Sequence, residues 1–112
     1  MVQYSMELDR AFAAVADPTR RGILRRLGRG DATISELAGD FAMSLTGIKK
    51  HVSVLEAAQL VSTRKVGRVR HCRAGPRRLE QAADWIDDYR RTLNERLDHL
   101  ERFLERTKGR TP

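Results

Sequence analysis

Residues 44–58 decide the fold of this 112-residue chain, and they read Ser-Leu-Thr-Gly-Ile-Lys-Lys-His-Val-Ser-Val-Leu-Glu-Ala-Ala. Ile48, Val52 and Leu55 recur at a helical period and predict a buried face. Ser44 precedes them as an N-cap, and a helix N-terminus attracts anions. The stretch therefore predicts one helix whose front suits a polyanion, with an ordinary solvated face as the alternative. The predicted front carries Thr46, Lys49, Lys50 and Ser53.

A short helix is expected directly before this one. Thr33 and Glu36 have the spacing of a capping box, and residues 39–43 are long enough only for a turn. Two helices joined by a few residues, with the second one basic, predict a helix-turn-helix over residues 33–58. In that motif the second helix enters the DNA major groove and the first crosses the backbone. The inward side chains of the short helix are Ile34, Leu37 and Ala38.

The spacing of the apolar residues changes from a helical period after Leu60. Val61–Val66 and Val69–Ala74 are rich in β-formers, and Gly67-Arg68 between them is a two-residue hairpin signal. A basic hairpin directly after such a helix predicts a wing over residues 61–74 that reaches phosphate or the minor groove. The alternative is an edge hairpin protected by charge against aggregation. The cations at or near its tip are Arg64, Lys65, Arg68 and Arg70.

Helices are expected on both flanks. Residues 6–16 form the first, and Asp17-Pro18 caps and starts the next, whose apolar face contains Ile23 and Leu27. We expect Arg20, Arg21, Arg25 and Arg26 around the outside of that second helix.

A long helix is predicted over residues 77–106, with apolar side chains three and four apart. Thirty residues span about 45 Å, more than so small a domain covers with its own core. The stripe therefore predicts a second copy of the chain as its partner. The predicted interface contains Leu8, Phe12, Trp85, Tyr89, Leu93, Leu97, Leu100 and Leu104.

The composition fits one domain over residues 1–112, mainly α with a small β-hairpin. The net charge is +7, and residues 41–79 contain nine Lys or Arg and one acid, Glu56, which favours a polyanionic partner. One cysteine, no signal peptide and no spanning apolar run suggest a cytoplasmic protein without a membrane partner. With no acid–base pair, nucleophile motif or phosphate loop, we predict no enzyme, catalytic residue or cofactor.

These motifs together resemble the ArsR family of bacterial winged-helix repressors over nearly the whole chain. The matching segments are residues 16–21 (Ala-Asp-Pro-Thr-Arg-Arg), 36–38 (Glu-Leu-Ala), 43–56, 60–61 (Leu-Val) and 67–70 (Gly-Arg-Val-Arg). Gln59 departs from the family, which usually has Gly there to ease a left-handed helix exit. Trp85 and Tyr89, followed by leucines, resemble the branch without the classical metal sites.

The resemblance implies a homodimer that binds a partly palindromic operator on double-stranded DNA near its own promoter and blocks transcription. Two such modules read half-sites roughly 34 Å apart. His51 is implied as a DNA or packing contact, and no small-molecule ligand is evident. The implied DNA contacts are Ser44, Thr46, Lys49, Lys50 and His51, with backbone contacts from Ser53, Arg64, Arg68 and Arg70.

The sequence also has to be checked for residues that would sense a metal ion or a redox change. The family's Cys-x-Cys site would fall at residues 36–40, which contain no thiol, and its Asp-x-His site on the last helix also lacks matching spacing, so we predict no metal. Cys72 is either a small buried hydrophobe or a redox thiol whose pKa nearby Arg70 and Arg73 depress. Two further alternatives are a protein-binding winged helix and a non-specific architectural DNA binder. The candidate metal ligands on the last helix are Asp84, Asp87, Asp88 and His99.

Overall fold

A computed structural model describes residues 6–108. Within them lie five helices and three strands, in the order α1, α2, β1, α3, α4, β2, β3, α5. The sequence also predicts a loose start at residues 1–5, which lie outside the described residues. The elements are α1 Met6–Val15, α2 Pro18–Leu27, β1 Ala32–Thr33, α3 Ile34–Asp40, α4 Leu45–Ala57, β2 Val61–Val66, β3 Val69–Ala74 and α5 Glu80–Lys108.

The predicted caps form local hydrogen bonds that begin three helices. Asp17 Oδ2 accepts from the backbone N–H of Arg20 at 3.0 Å and starts α2, with Pro18 at the first helical position. Thr33 and Glu36 form the complete capping box of α3. The hydroxyl of Ser44 accepts from the N–H of Gly47 at 3.0 Å and starts α4. The helix-turn-helix boundaries are therefore set by short-range bonding that the sequence already encodes.

The sheet is antiparallel with strand order β1-β3-β2. The hairpin strands have the predicted bounds, and Gly67 takes the left-handed φ of +63° that its tight turn needs. The two-residue strand β1, which was not predicted, pairs Ala32 with Cys72 of β3. The fold is therefore mainly helical with a small three-stranded sheet, as expected apart from that extra strand.

The core lies beneath α4. Its largest fully buried side chains come from α2, α3, α4 and the sheet, so the predicted inner face of α4 packs against all of these elements. Burying each Ile, Leu or Val among them contributes about 1.5–3 kcal/mol relative to exposure. These side chains are Ile23, Leu37, Ile48, Leu55, Val61 and Cys72.

The backbone is left-handed just after α4 and just before α5. Gln59 does leave α4 in the left-handed region, at φ +61°, so it bears the strain that glycine would relieve. The last helix begins at Glu80, not at residue 77 as predicted, and extends to Lys108 rather than 106. Leu79 has φ +65°, which interrupts the helical backbone, and it packs half-buried against the core.

The described residues fall into two compact units, 6–81 and 82–108. The first contains the helix-turn-helix and the hairpin. The second consists of α5 beyond Gln81. No helix within residues 6–108 combines the length and apolar character needed to cross a membrane.

Candidate nucleic-acid interface

The outer face of α4 is polar, basic and open to solvent. Lys49 and Lys50 are exposed, whereas Ile48 before them and Val52 after them are at most 3% exposed. The buried side of α4 therefore packs on the core, and its opposite side is open to solvent. The exposed front contains Thr46, Lys49, Lys50 and Ser53, as predicted, together with the apolar Leu45 and Val54.

A chain of hydrogen bonds connects α4 to the hairpin. The hydroxyl of Thr63 donates to Glu56 Oε2 at 2.7 Å, and Arg70 Nη1 donates to Thr63 Oγ1 at 2.9 Å. Glu56 is the single acid in residues 41–79, and here it anchors the wing to the helix. Arg70, predicted as a contact to the DNA backbone, thus also forms a hydrogen bond within the protein.

The strand register determines which hairpin cations lie together. Lys65 pairs directly with Arg70, and Arg64 pairs with His71. Neighbouring side chains on a strand point to opposite faces, so Arg64 and Lys65 diverge. Like charges directly opposite each other destabilise a sheet, which makes the Lys65–Arg70 pair costly unless an anion lies nearby.

One groove joins the front of α4 to the wing. Lys49 from α4 lines it together with three cations of the hairpin, and the N-terminal turn of α3 closes one side. Arg64 lies elsewhere, in a recess with Val66 and Arg73. Sequence reasoning did not include Ser35, Leu45 or Lys65 among the site residues, although strand alternation places Lys65 with Arg70. The groove residues are Thr33, Ile34, Ser35, Leu45, Lys49, Lys65, Arg68, Val69 and Arg70.

His51 occupies a different position from the other implied contacts. Its side chain is 20% exposed, and Nδ1 lies 3.2 Å from Arg20 Nη1 and 3.9 Å from Asp17 Oδ2. Arg20, predicted on the outside of α2, instead bonds to α1 and His51 and is half-buried. Arg26 is also half-buried, and Arg21 and Arg25 are exposed. The backbone N–H of Arg20 lowers the pKa of the Asp17 carboxyl, which keeps the cap ionised.

Cys72 is fully buried, which decides between its two expected roles. Burial raises the pKa of its thiol, outweighing the nearby positive charge of Arg70. The depressed pKa that the redox alternative required is therefore wrong in direction. Across residues 6–108, no group of three His, Cys, Asp or Glu side chains is arranged to hold a metal ion.

The apolar stripe predicted on the last helix is exposed on α5. Trp85 and Tyr89 stack with ring centroids 5.5 Å apart, and Leu8 and Phe12 of α1 are half-buried. Ordinary surface leucines occur singly, whereas this stripe is continuous. Its members, each between 41% and 62% exposed, are Trp85, Tyr89, Leu93, Leu97, Leu100 and Leu104.

Comparison with known proteins agrees with this geometry. A family model described as a helix-turn-helix domain matches residues 15–64. The HTH-type transcriptional regulator Rv2034 of Mycobacterium tuberculosis is 44% identical over 59 residues, which cover 53% of this chain and only 55% of that protein. The transcriptional repressor SdpR of Bacillus subtilis is 30% identical over 79 residues, which cover 70% of this chain and 88% of that protein.

The same relationship extends to solved structures. The crystal structure of an ArsR family transcriptional regulator, RHA00566, superposes with a TM-score of 0.75 at 40% identity, covering 84% of this chain and 97% of that chain. Both the fold and the sequence are thus shared over nearly the full length of that regulator. The chain belongs to the ArsR family of winged helix-turn-helix transcriptional regulators.

Proposed function

We propose that this protein is a homodimeric repressor that binds a partly palindromic operator, by base readout from α4 and phosphate contact from the wing. The observation that carries the proposal is the groove in which Lys49 meets Lys65, Arg68 and Arg70. Four cations from α4 and the hairpin line one surface, and no acid lines it with them. Phosphate is the ligand that such a surface favours.

The proposed division of labour follows from where each residue lies. Thr46, Lys49, Lys50 and Ser53 are exposed on the helix front, where side chains of a recognition helix reach base edges. Ser44 uses its hydroxyl as the cap, so its contribution is to present the helix N-terminus to a phosphate. Arg68 and Arg70, which line the groove, are assigned to the DNA backbone, whereas Arg64 lies in the separate recess.

The homodimer is proposed from the stripe on α5. At 1.5 Å per residue its 29 residues extend about 43 Å, and the apolar side chains recur along that length. A second copy presents the same stripe in return, which is the simplest way to bury it. We assign Leu8 and Phe12 to the same interface. The repressor role is supported by the similarity to SdpR, which is a transcriptional repressor.

The decisive experiment is selection of bound fragments from the native genome, followed by competition of the selected site against unrelated duplex. We expect a site upstream of the protein's own gene. Lys50→Ala and Thr46→Ala should each reduce the ratio of operator affinity to unrelated-duplex affinity, because base contacts carry discrimination worth about 1–3 kcal/mol per pair. Their folding is checked by thermal denaturation.

A non-specific architectural binder is the second candidate, and the same experiment separates it. Both candidates depend on salt, because phosphate neutralisation drives both, so salt alone does not distinguish them. Equal losses of affinity on operator and unrelated duplex from both α4 substitutions would reject base readout by this helix. No enrichment of any genomic fragment would reject the repressor altogether.

A further inference from the structure

The side chain of Arg20 connects three helices of the first unit. It projects from the first turn of α2, and its Nε donates to the carbonyl of Ala14 at 2.9 Å. Its Nη2 donates to the carbonyl of Ala13, also at 2.9 Å. Both acceptors are in the last turn of α1, where carbonyls lack partners within the helix and carry partial negative charge. Arg20 therefore caps the C-terminus of α1 while its backbone belongs to α2.

The third bond of the same guanidinium reaches α4. Arg20 Nη1 lies 3.2 Å from Nδ1 of His51, which follows the outward Lys50 and precedes the buried Val52. A guanidinium can only donate, so Nδ1 must accept with its lone pair, and the ring proton of neutral His51 resides on Nε2. The side chain of Arg20 on α2 thus fixes the imidazole of His51 through a hydrogen bond.

We infer that Arg20 and His51 are positioning residues that fix the orientation of α4 against α1 and α2. This inference rests on the proposed reading of DNA by α4, and it assigns His51 a packing role instead of a base contact. The N–H groups of the guanidinium lie in one rigid plane, so the acceptors on α1 and α4 are held in a fixed arrangement relative to Arg20. The pair would set operator discrimination without touching a base.

The inference is tested first by a double-mutant cycle. Arg20→Gln and His51→Leu should each lower operator affinity by about tenfold. Arg20→Gln also loses the two bonds to α1, so the double variant should lose no more than Arg20→Gln alone, because the bond between Arg20 and His51 is then already broken. Affinity for unrelated duplex should change less than twofold. If the two losses add, His51 acts independently of Arg20, as a direct DNA contact would, and the inference is wrong.

The conservative variant His51→Asn provides a matched control. Its Oδ1 can accept from Arg20 near the place of Nδ1, so we expect it to restore operator affinity that His51→Leu loses. A His51→Asn variant as weak as His51→Leu, with the same melting temperature as the wild type, would overturn the inference.

A spectroscopic measurement on the unaltered protein needs no variant to fold. Long-range ¹H–¹⁵N correlation at neutral pH should show the Nε2–H tautomer for His51 in the free protein. An Nδ1–H tautomer, or an imidazolium, would overturn the inference. Failure of the proposed function is a separate result, since the wild type would then show no operator preference in the cycle.

Discussion

Replacement of Arg68 by alanine tests the wing in quantitative terms. Arg68 lies in the turn of the hairpin, is exposed, and lines the groove beside Lys49. Within residues 6–108 its side chain has neither a hydrogen bond nor an ion pair, so its removal should leave the folded state intact. Any loss of DNA binding by Arg68→Ala then reports on the missing charge.

The size of the loss follows from counterion release. Each phosphate neutralised contributes about 0.9 to the slope of log affinity against log salt concentration. A homodimer loses two such contacts, so the slope should become shallower by about 1.8. At a salt concentration of about 0.15 M, that slope corresponds to a loss of affinity of about 30-fold on operator and unrelated duplex alike.

Fluorescence anisotropy titrations from about 50 to about 200 mM salt would measure both quantities. The matched control is Arg25→Ala, which removes the same charge from an exposed position on α2 outside the groove. We expect the Arg25 variant to keep the wild-type slope. Equal slopes for the two variants would mean that net charge, and not the groove, drives binding, and an unchanged slope for Arg68→Ala would refute phosphate contact by the wing.

Three further predictions concern stability, assembly and the thiol. Gly75→Ala should destabilise the fold by about 1–3 kcal/mol in chemical denaturation, because its Cβ would lie 2.5 Å from the carbonyl oxygen of Gln59. Gly39→Ala, with open space around the new atom in α3, should instead stabilise by about 0.5–1 kcal/mol. Leu97→Asp should yield monomers in sedimentation and lose operator binding, and a monomeric wild type would contradict this. Iodoacetamide should label Cys72 slowly in the native protein and rapidly in denaturant, since burial raises the pKa of the thiol.

The parts of the fold that the sequence predicted well are those set by local chemistry. Asp17, Thr33 and Ser44 each accept a backbone N–H three residues later, and such bonds depend only on nearby residues. The hairpin ends were also predictable, because Gly67 supplies the left-handed turn between two β-rich runs. Periodicity then identified the buried face of α4.

The parts that were missed depend on distant partners or on unusual backbone. β1 has only two residues and exists because Ala32 pairs with Cys72, forty positions away. The start of α5 was placed too early because Leu79 adopts a left-handed φ that its residue type does not signal. In that conformation the side chain of Leu79 packs against the core, which offsets the backbone strain.

The candidate site shows the same division. The basic residues were identified from composition and position, but their grouping required the strand register, which separates Arg64 from Lys65 and brings Lys65 to Arg70. The proposed phosphate surface is therefore smaller and more concentrated than the count of cations suggested. Glu56, noted at first only as the single acid in the region, anchors that surface to α4 through Thr63.

Arg20 illustrates how residue type, and not helical periodicity, misassigned a position. Arg20 lies three positions before Ile23 and seven before Leu27, so its Cα–Cβ bond points to the same side of α2 as theirs, although its charge suggested the outside. The guanidinium lies several bonds further on, and its position depends on where acceptors are available. The carbonyls in the last turn of α1 and the lone pair of His51 are such acceptors. An arginine in the first turn of a helix that follows a short interhelical turn can therefore link neighbouring helices. This role has to be considered before the residue is counted as surface charge.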